Sequence, residues 1–272
     1  MRNDERAAEF IIDAHCHIFP AKIAEKATQN IGRFYETRMD APAGEVDALL
    51  QSGKAIGVGR YVVCSVATKA SQVQSINNFI AESCAAHPEF LGLLTLTPDF
   101  EAIGQEIDRA LALGLRGVKL HPDFQGFAID DEAVFSMYEA IAARGLPLLF
   151  HAGDRRYAFS SPERLAKVAR RFPGLTCVAA HFGGYSEWER VRVYDGLENV
   201  FFDTCSALGV MPDLGLAERL IEHFGAERFM FGTDFPMWGH EAEFARFGAL
   251  PLSAAQREQI LHKTAEKVYF GA

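Results

Sequence analysis

Three histidines, His121, His151 and His181, stand 30 residues apart, and Asp203 and Asp234 stand 31 apart. Each ends, or nearly ends, a short run rich in β-branched, apolar or aromatic residues: GVKLHP, LPLLFHAG, TCVAAHFGG, NVFFDTC and FMFGTDFP. Thirty residues hold one strand and one returning helix. A period of that length therefore sets one polar residue at the C-terminal end of each of several successive parallel strands. Three earlier runs, EFIIDAHCHI, RYVVCSV and FLGLLTLT, bring the strand count to eight. Between them lie amphipathic segments such as SQVQSINNFIAESCAAH, EAIGQEIDRALALG, DEAVFSMYEAIAARG and SPERLAKVARRFPG, which open near Ser, Asp or Glu and in several cases close at Gly. Eight such units in 272 residues fit a single (β/α)8 TIM barrel, residues 1–272, better than an open sheet. The chemistry of such a barrel sits at the C-terminal ends of its strands.

One connection breaks the rhythm. Residues 19–43, FPAKIAEKATQNIGRFYETRMDAPA, separate the first strand from its helix and read as a long first βα loop, a lid rich in Arg, Phe and Tyr. The tail LSAAQREQILHKTAEKVYF reads as a closing amphipathic helix.

With 49% hydrophobic residues the chain can bury a large core. Its formal net charge of −9 argues against nucleic acid or an anionic membrane surface as partner. The N-terminus, MRNDERAAEF, lacks the apolar run of a signal peptide, and no stretch is long enough to span a membrane. Five cysteines, Cys16, Cys64, Cys84, Cys177 and Cys205, form no CxxC pair and suit a reducing compartment as small core residues. The expectation is a soluble cytoplasmic protein with a small-molecule partner, and a homo-oligomer is left open.

Asp13, His15 and His17 alternate in IIDAHCHI, so a regular strand would lean all three to one face. A barrel would bring His15 and His17 of strand one to the same mouth as His151, His181 and Asp234. Neutral imidazoles and a carboxylate are what a divalent transition metal of zinc type accepts. Asp13 reads as a residue that orients a ligand or a strand end.

DAHCHI, GVKLHP, LLFHAG, VAAHFGG and FGTDFP, in this order and over essentially the whole chain, resemble the amidohydrolase superfamily, and within it the amidohydrolase-2 group that includes aminocarboxymuconate-semialdehyde decarboxylase-like enzymes. The resemblance implies that His15, His17, His151 and Asp234 bind one divalent ion, zinc first, with manganese or another divalent ion as alternatives. It implies catalytic roles for His181, beside the metal-activated water, and for Asp234, which would take the water's proton and pass it to the leaving group. Thr264, in LHKTAEK, stands where the group usually has Asn, at a structural position.

Further candidates are weaker. Lys119 and His121 share strand four. A lysine there is carbamylated in binuclear relatives, whereas the decarboxylase-like branch leaves it for substrate binding or a buried ion pair with a carboxylate. Arg155 and Arg156 follow strand five and could grip a substrate carboxylate. Arg38 and Tyr35 could do so from the long loop, and Trp238 could wall the pocket. His87, His223 and His262 read as surface or packing residues. The leading functional expectation is hydrolysis of an amide, lactone or ester of a small carboxylated substrate by metal-activated water. The runner-up is nonoxidative decarboxylation of a small carboxylic acid. A non-catalytic metabolite-binding barrel is the remote third.

Overall fold

The computed structural model describes residues 9–271; the charged tail before them lies outside the described residues. All strand pairs are parallel. One sheet joins β1 (Ile11–His17), β2 (Val58–Cys64) and β3 (Phe90–Gly92). The other joins β4 (Leu94–Thr95), β5 (Val118–Leu120), β6 (Leu148–Phe150), β7 (Cys177–Ala179), β8 (Val200–Asp203) and β9 (Phe229–Met230) in sequence order. These are the eight expected runs, with the third split at Leu93. There the ladder changes partner: Leu93 N–H donates to Val63 O (2.9 Å) and Leu94 N–H to Gly117 O (2.8 Å). At the opposite seam Ala14 N–H donates to Phe231 O (2.9 Å), Asp234 N–H to His15 O (2.8 Å) and His17 N–H to Phe235 O (2.7 Å). The two sheets curl into an α/β barrel stitched at both seams by isolated backbone bonds rather than closed as one continuous ladder.

The strands are apolar on both faces because both are covered. Ile12, Ala14, Val62, Cys64, Leu149, Val178 and Met230 form an inner cluster, into which Ala265 and Tyr269 of the tail pack from one end. Alternate residues such as Ile11, Tyr61, Val63, Val118 and Leu120 belong to the larger cluster shared with the helices. Lys119, between Val118 and Leu120, therefore points inward. The four amphipathic segments quoted above form helices at Val73–Ala86, Ile103–Ala112, Phe135–Ala142 and Pro162–Arg171. No helix among the described residues is long and apolar enough to cross a membrane.

Two expectations need correction. The segment 19–43 is not an open loop, since it contains α1, Ala21–Tyr35. The buried stripe of α1 is Ala24, Thr28 and Gly32, spaced by four, and Ile23, Ala27, Ile31 and Phe34 beside it repeat at helical spacing and face the cavity. Nor do Asp13, His15 and His17 share a face. Asp13 pairs with Tyr61 and Cys16 with Val63, so three steps on β1 match two on β2. That extra residue is a β-bulge, which re-aims the side chains after it. His15 and His17 turn inward, while Asp13 stays in the helix-facing layer. There its carboxylate accepts from Thr233 N–H (3.1 Å) and Thr233 Oγ1 (2.5 Å) and lies 2.9 Å from His240 Nε2. The tail is helical as expected, but after Ala254–Glu258 it widens into two π-helical turns, Gln259–Lys263 and Glu266–Phe270. Thr264, buried between them, donates to Gln259 O (3.2 Å).

Glu243 is buried in the outer layer beside Arg246. Burial pushes its carboxyl up to about 7, against the pull of Arg246 and helped by Asp234 and Asp13. A carboxyl raised in the folded state contributes stability that is complete below the unfolded value of 4.5 and is lost as pH rises through about 7. Glu243→Gln should match the wild type near pH 5 and exceed it by about 1–3 kcal/mol at about pH 8.5. Melting curves across that range check it; a Tm difference independent of pH would contradict it.

Candidate metal centre

At the C-terminal mouth of the strands, three atoms converge. His15 Nε2 lies 3.2 Å from His17 Nε2, and Asp234 Oδ1 lies 3.2 Å from His17 Nε2 and 3.6 Å from His15 Nε2. Ligand atoms set tetrahedrally about 2.0–2.2 Å from a zinc-sized ion would be separated by about 3.3–3.6 Å, so this triangle has the spacing of a ligand set. A few ångströms away His151 Nδ1 and His181 Nε2 face each other at 2.9 Å.

The groups behind the rings decide which nitrogens carry lone pairs. His15 Nδ1 lies 2.9 Å from Asp203 Oδ2, and His181 Nδ1 lies 3.1 Å from the Cys205 carbonyl. Both acceptors require Nδ1–H, which leaves each Nε2 as a lone pair aimed at the centre. Burial is the main cause lowering the pKa of His15, to about 4, and it also lowers those of His121, His151 and His181. These rings are therefore neutral near pH 7, the form that binds a metal. His17 differs: burial works to lower its pKa, but neighbouring Cys64 and Asp234 push it up to about 9. Burial would raise the Asp234 carboxyl, yet His15, His17 and His181 hold it well below the usual range. Ser206 Oγ donates to its other oxygen (2.7 Å) and in turn accepts from Trp238 Nε1 (2.9 Å).

Local backbone conformation sets these positions. His181 (φ 62°), Phe182 (φ 56°), Ser206 (φ 52°) and Asp234 (φ 58°) are non-glycine residues in the left-handed region, at a cost of about 1–3 kcal/mol each. That strain gathers where strand ends become loops. Gly153 (φ 73°) lets the loop after His151 touch the loop after His181. A Cβ on Gly153 would stand 2.5 Å from Gly184 Cα.

The centre opens into a cavity of about 600 Å³. Its wall includes Phe19, Ile23, Ala27, Ile31, Phe34, Tyr35 and Met39 from α1 and its flanks, facing Ile76, Phe79, Phe124 and Met237. Lys119 and His121 also line it. Lys119 makes no ion pair with a carboxylate among the described residues; its buried Nζ lies 3.0 Å from His15 Nε2. Tyr35 OH lies 2.7 Å from His121 Nε2 and 3.4 Å from His151 Nδ1.

The expected arginine clamp is absent from this wall. Arg155 donates to the Ser186 carbonyl and pairs with Glu189, and Arg156 pairs with Asp154 and donates to Phe34 O (2.7 Å). Arg38 is exposed, and Trp238 stands behind Ser206 under Arg246. His87, His223 and His262 pair with acidic residues away from the mouth. Sequence reasoning placed Asp203 at a strand end but gave it no role; it backs both His15 (2.9 Å) and the His181 backbone N–H (2.7 Å). Its signal was the 31-residue interval to Asp234. It also overlooked Cys205, whose Sγ lies 3.1 Å from His15 Nδ1 and 3.2 Å from His181 Nδ1.

The family model described as Amidohydrolase matches residues 12–271. No curated protein matches the chain. Among solved structures, an uncharacterized TIM-barrel protein from Bordetella bronchiseptica is similar at TM-score 0.78 and 22% identity, over 95% of this chain and 97% of that one. A dihydroxybenzoic acid decarboxylase from Polaromonas sp. JS666, solved with manganese and the inhibitor 2-nitroresorcinol, is similar at TM-score 0.73 and 17% identity, over 96% of each chain. A probable 2-pyrone-4,6-dicarboxylic acid hydrolase from Acinetobacter baumannii, with citric acid bound, is similar at TM-score 0.68 and 16% identity, over 96% of this chain and 99% of that one.

The glycine contact yields a paired test. A methyl group added at Gly57 (φ 78°) would meet nothing within 4 Å, whereas one added at Gly153 meets backbone. Gly57→Ala should cost about 1–2 kcal/mol, the left-handed strain alone. Gly153→Ala should cost more, about 2–4 kcal/mol, and should weaken metal uptake by parting His151 from His181. Denaturant titrations of both variants check this; equal losses would show that the close approach is unimportant.

Proposed function

The chain belongs to the amidohydrolase family, and from that premise we propose a metal-dependent nonoxidative decarboxylase acting on a small aromatic or unsaturated carboxylic acid. The observation that carries this reading is the cavity wall: aromatic and aliphatic faces surround the centre, the buried Lys119 is at its base, and no arginine lines it. Such a slot suits a flat apolar body with one anionic end at the centre.

His15, His17, His151 and Asp234 would hold the ion, with His181 beside them. Manganese and zinc both suit this N/O set, and the manganese-bound decarboxylase supports the former. When bound, the ion would draw electron density from the oxygen substituents of the acid and fix its orientation. Lys119 adds a positive charge where the carboxylate enters. The apolar wall replaces water around the acid, which favours a reaction that turns a localised carboxylate charge into neutral carbon dioxide. The carbon–carboxylate bond breaks, its electron pair stays on the ring or alkene carbon, and that carbon takes up one proton. Tyr35 and Asp234 face the cavity as the groups that could relay it.

Hydrolysis is the second reading. It is favoured by the ionised Asp234, which could take a proton from water attacking an amide, lactone or ester, and by the probable hydrolase among the similar structures. The five cysteines are free thiols, which supports a reducing compartment such as the cytoplasm.

Protein loaded with manganese or zinc should release carbon dioxide from members of a panel of hydroxylated benzoic and enoic acids. Asp234→Asn should lower that turnover about 10²–10⁴-fold. Release of acid from esters, lactones or amides, with no carbon dioxide from any acid, would overturn the decarboxylase reading in favour of hydrolysis.

A further inference from the structure

His151 presents Nδ1 to the centre, and its opposite nitrogen, Nε2, is buried with no hydrogen-bond partner. The polar atom facing that nitrogen is Asp123 Oδ2, 3.6 Å away, on a carboxylate that is itself 93% buried. The other oxygen, Asp123 Oδ1, also has no partner. A buried nitrogen without a partner thus faces a buried carboxylate that has accepting capacity to spare, one able to donate and one able only to accept while ionised. Ser160 Oγ donates to Oδ2 and holds the carboxylate in place. His121, stacked on His151 at 4.0 Å with 5° between the ring planes, fixes the plane of the imidazole.

We propose that Asp123 is the positioning residue for His151: it accepts the Nε2 proton and so commits Nδ1 as the lone pair aimed at the metal. The inference rests on the metal centre described above and adds a residue to it. The alternative tautomer, with the proton on Nδ1, would satisfy His181 Nε2 at 2.9 Å but turn the Nε2 lone pair towards a carboxylate. Asp123 disfavours that arrangement, and it does so from behind the ring, without touching substrate or ion. The same arrangement recurs at His15, backed by Asp203, and at His181, backed by a backbone carbonyl. Asp123 completes the pattern for the third ring. It follows strand β5 by three residues, in the one-turn helix Pro122–Gln125 that starts at His121.

The test is zinc affinity, measured by calorimetric competition with a chelator, in wild type, Asp123→Ala and Asp123→Asn. Asp123→Ala should bind zinc about 10–100-fold more weakly, the usual loss when a carboxylate behind a ligating histidine is removed. Asp123→Asn, which keeps an acceptor oxygen, should recover part of that loss. Nitrogen-15 spectra of zinc-loaded wild type supply a readout that needs no variant to fold: His151 should carry its proton on Nε2. Unchanged zinc affinity in Asp123→Ala, or a His151 proton on Nδ1, overturns the inference alone. A wild-type chain that binds no zinc overturns the centre and the inference together.

Discussion

A neutral imidazole has one nitrogen that donates and one that accepts, and the mouth of this barrel depends on which is which. Asp203 makes that choice for His15 and orders its neighbour as well, since one oxygen faces His15 Nδ1 and the other accepts the His181 backbone N–H. It is fully buried, so its charge would be costly without those partners. Once His15 and His181 are committed in this way, their remaining lone pairs point into one space with His17, His151 and Asp234. Lone pairs crowded at about 3 Å repel unless a cation or shared protons lie among them. The proposed cation would relieve that crowding, and the neutral state of His15, His151 and His181 leaves their lone pairs free to take it, while His17, held protonated by Cys64 and Asp234, would give up its proton on binding.

The barrel supplies this convergence through local irregularity. A bulge in β1 turns His15 and His17 inward after Asp13 has faced out. Left-handed residues at His181, Ser206 and Asp234 bend the chain at the strand ends. Asp13, on the outer side, holds Thr233 beside the seam and so fixes the start of the loop that carries Asp234. Helix α1 then lies over the mouth and lends the cavity its apolar wall. Arg156, expected to meet substrate, instead donates to the carbonyl of Phe34 and stacks over the rings of Phe34, Tyr35 and Tyr157, holding the end of α1 down.

Much of this was legible in the sequence because it is periodic. Strand runs with polar ends at 30-residue intervals placed His121, His151 and His181 on successive strands, and the order of the motifs led to the family. Most of what escaped had no signature that a single segment displays. The bulge depends on pairing between β1 and β2, which no single strand reveals. Helix α1 does repeat its apolar residues at helical spacing, in Ile23, Ala27, Ile31 and Phe34, but they face the cavity, and its place ahead of the expected helix made the segment read as a loop. The arginines were misjudged because charge next to a strand end suggests a substrate anion, whereas Glu189 and Asp154 were near enough in space to claim them. Asp203 did stand at the periodic spacing, but its role, like that of Asp123, shows only through the rings it backs.

Metal content tests the central claim most directly. Protein purified without chelator should carry a single divalent transition-metal ion per chain by elemental analysis, or take one up when manganese or zinc is added. The His15→Ala, His17→Ala double variant should remain folded and carry none. A wild-type chain that holds no metal and takes up none, or a double variant that keeps full occupancy, would contradict the account.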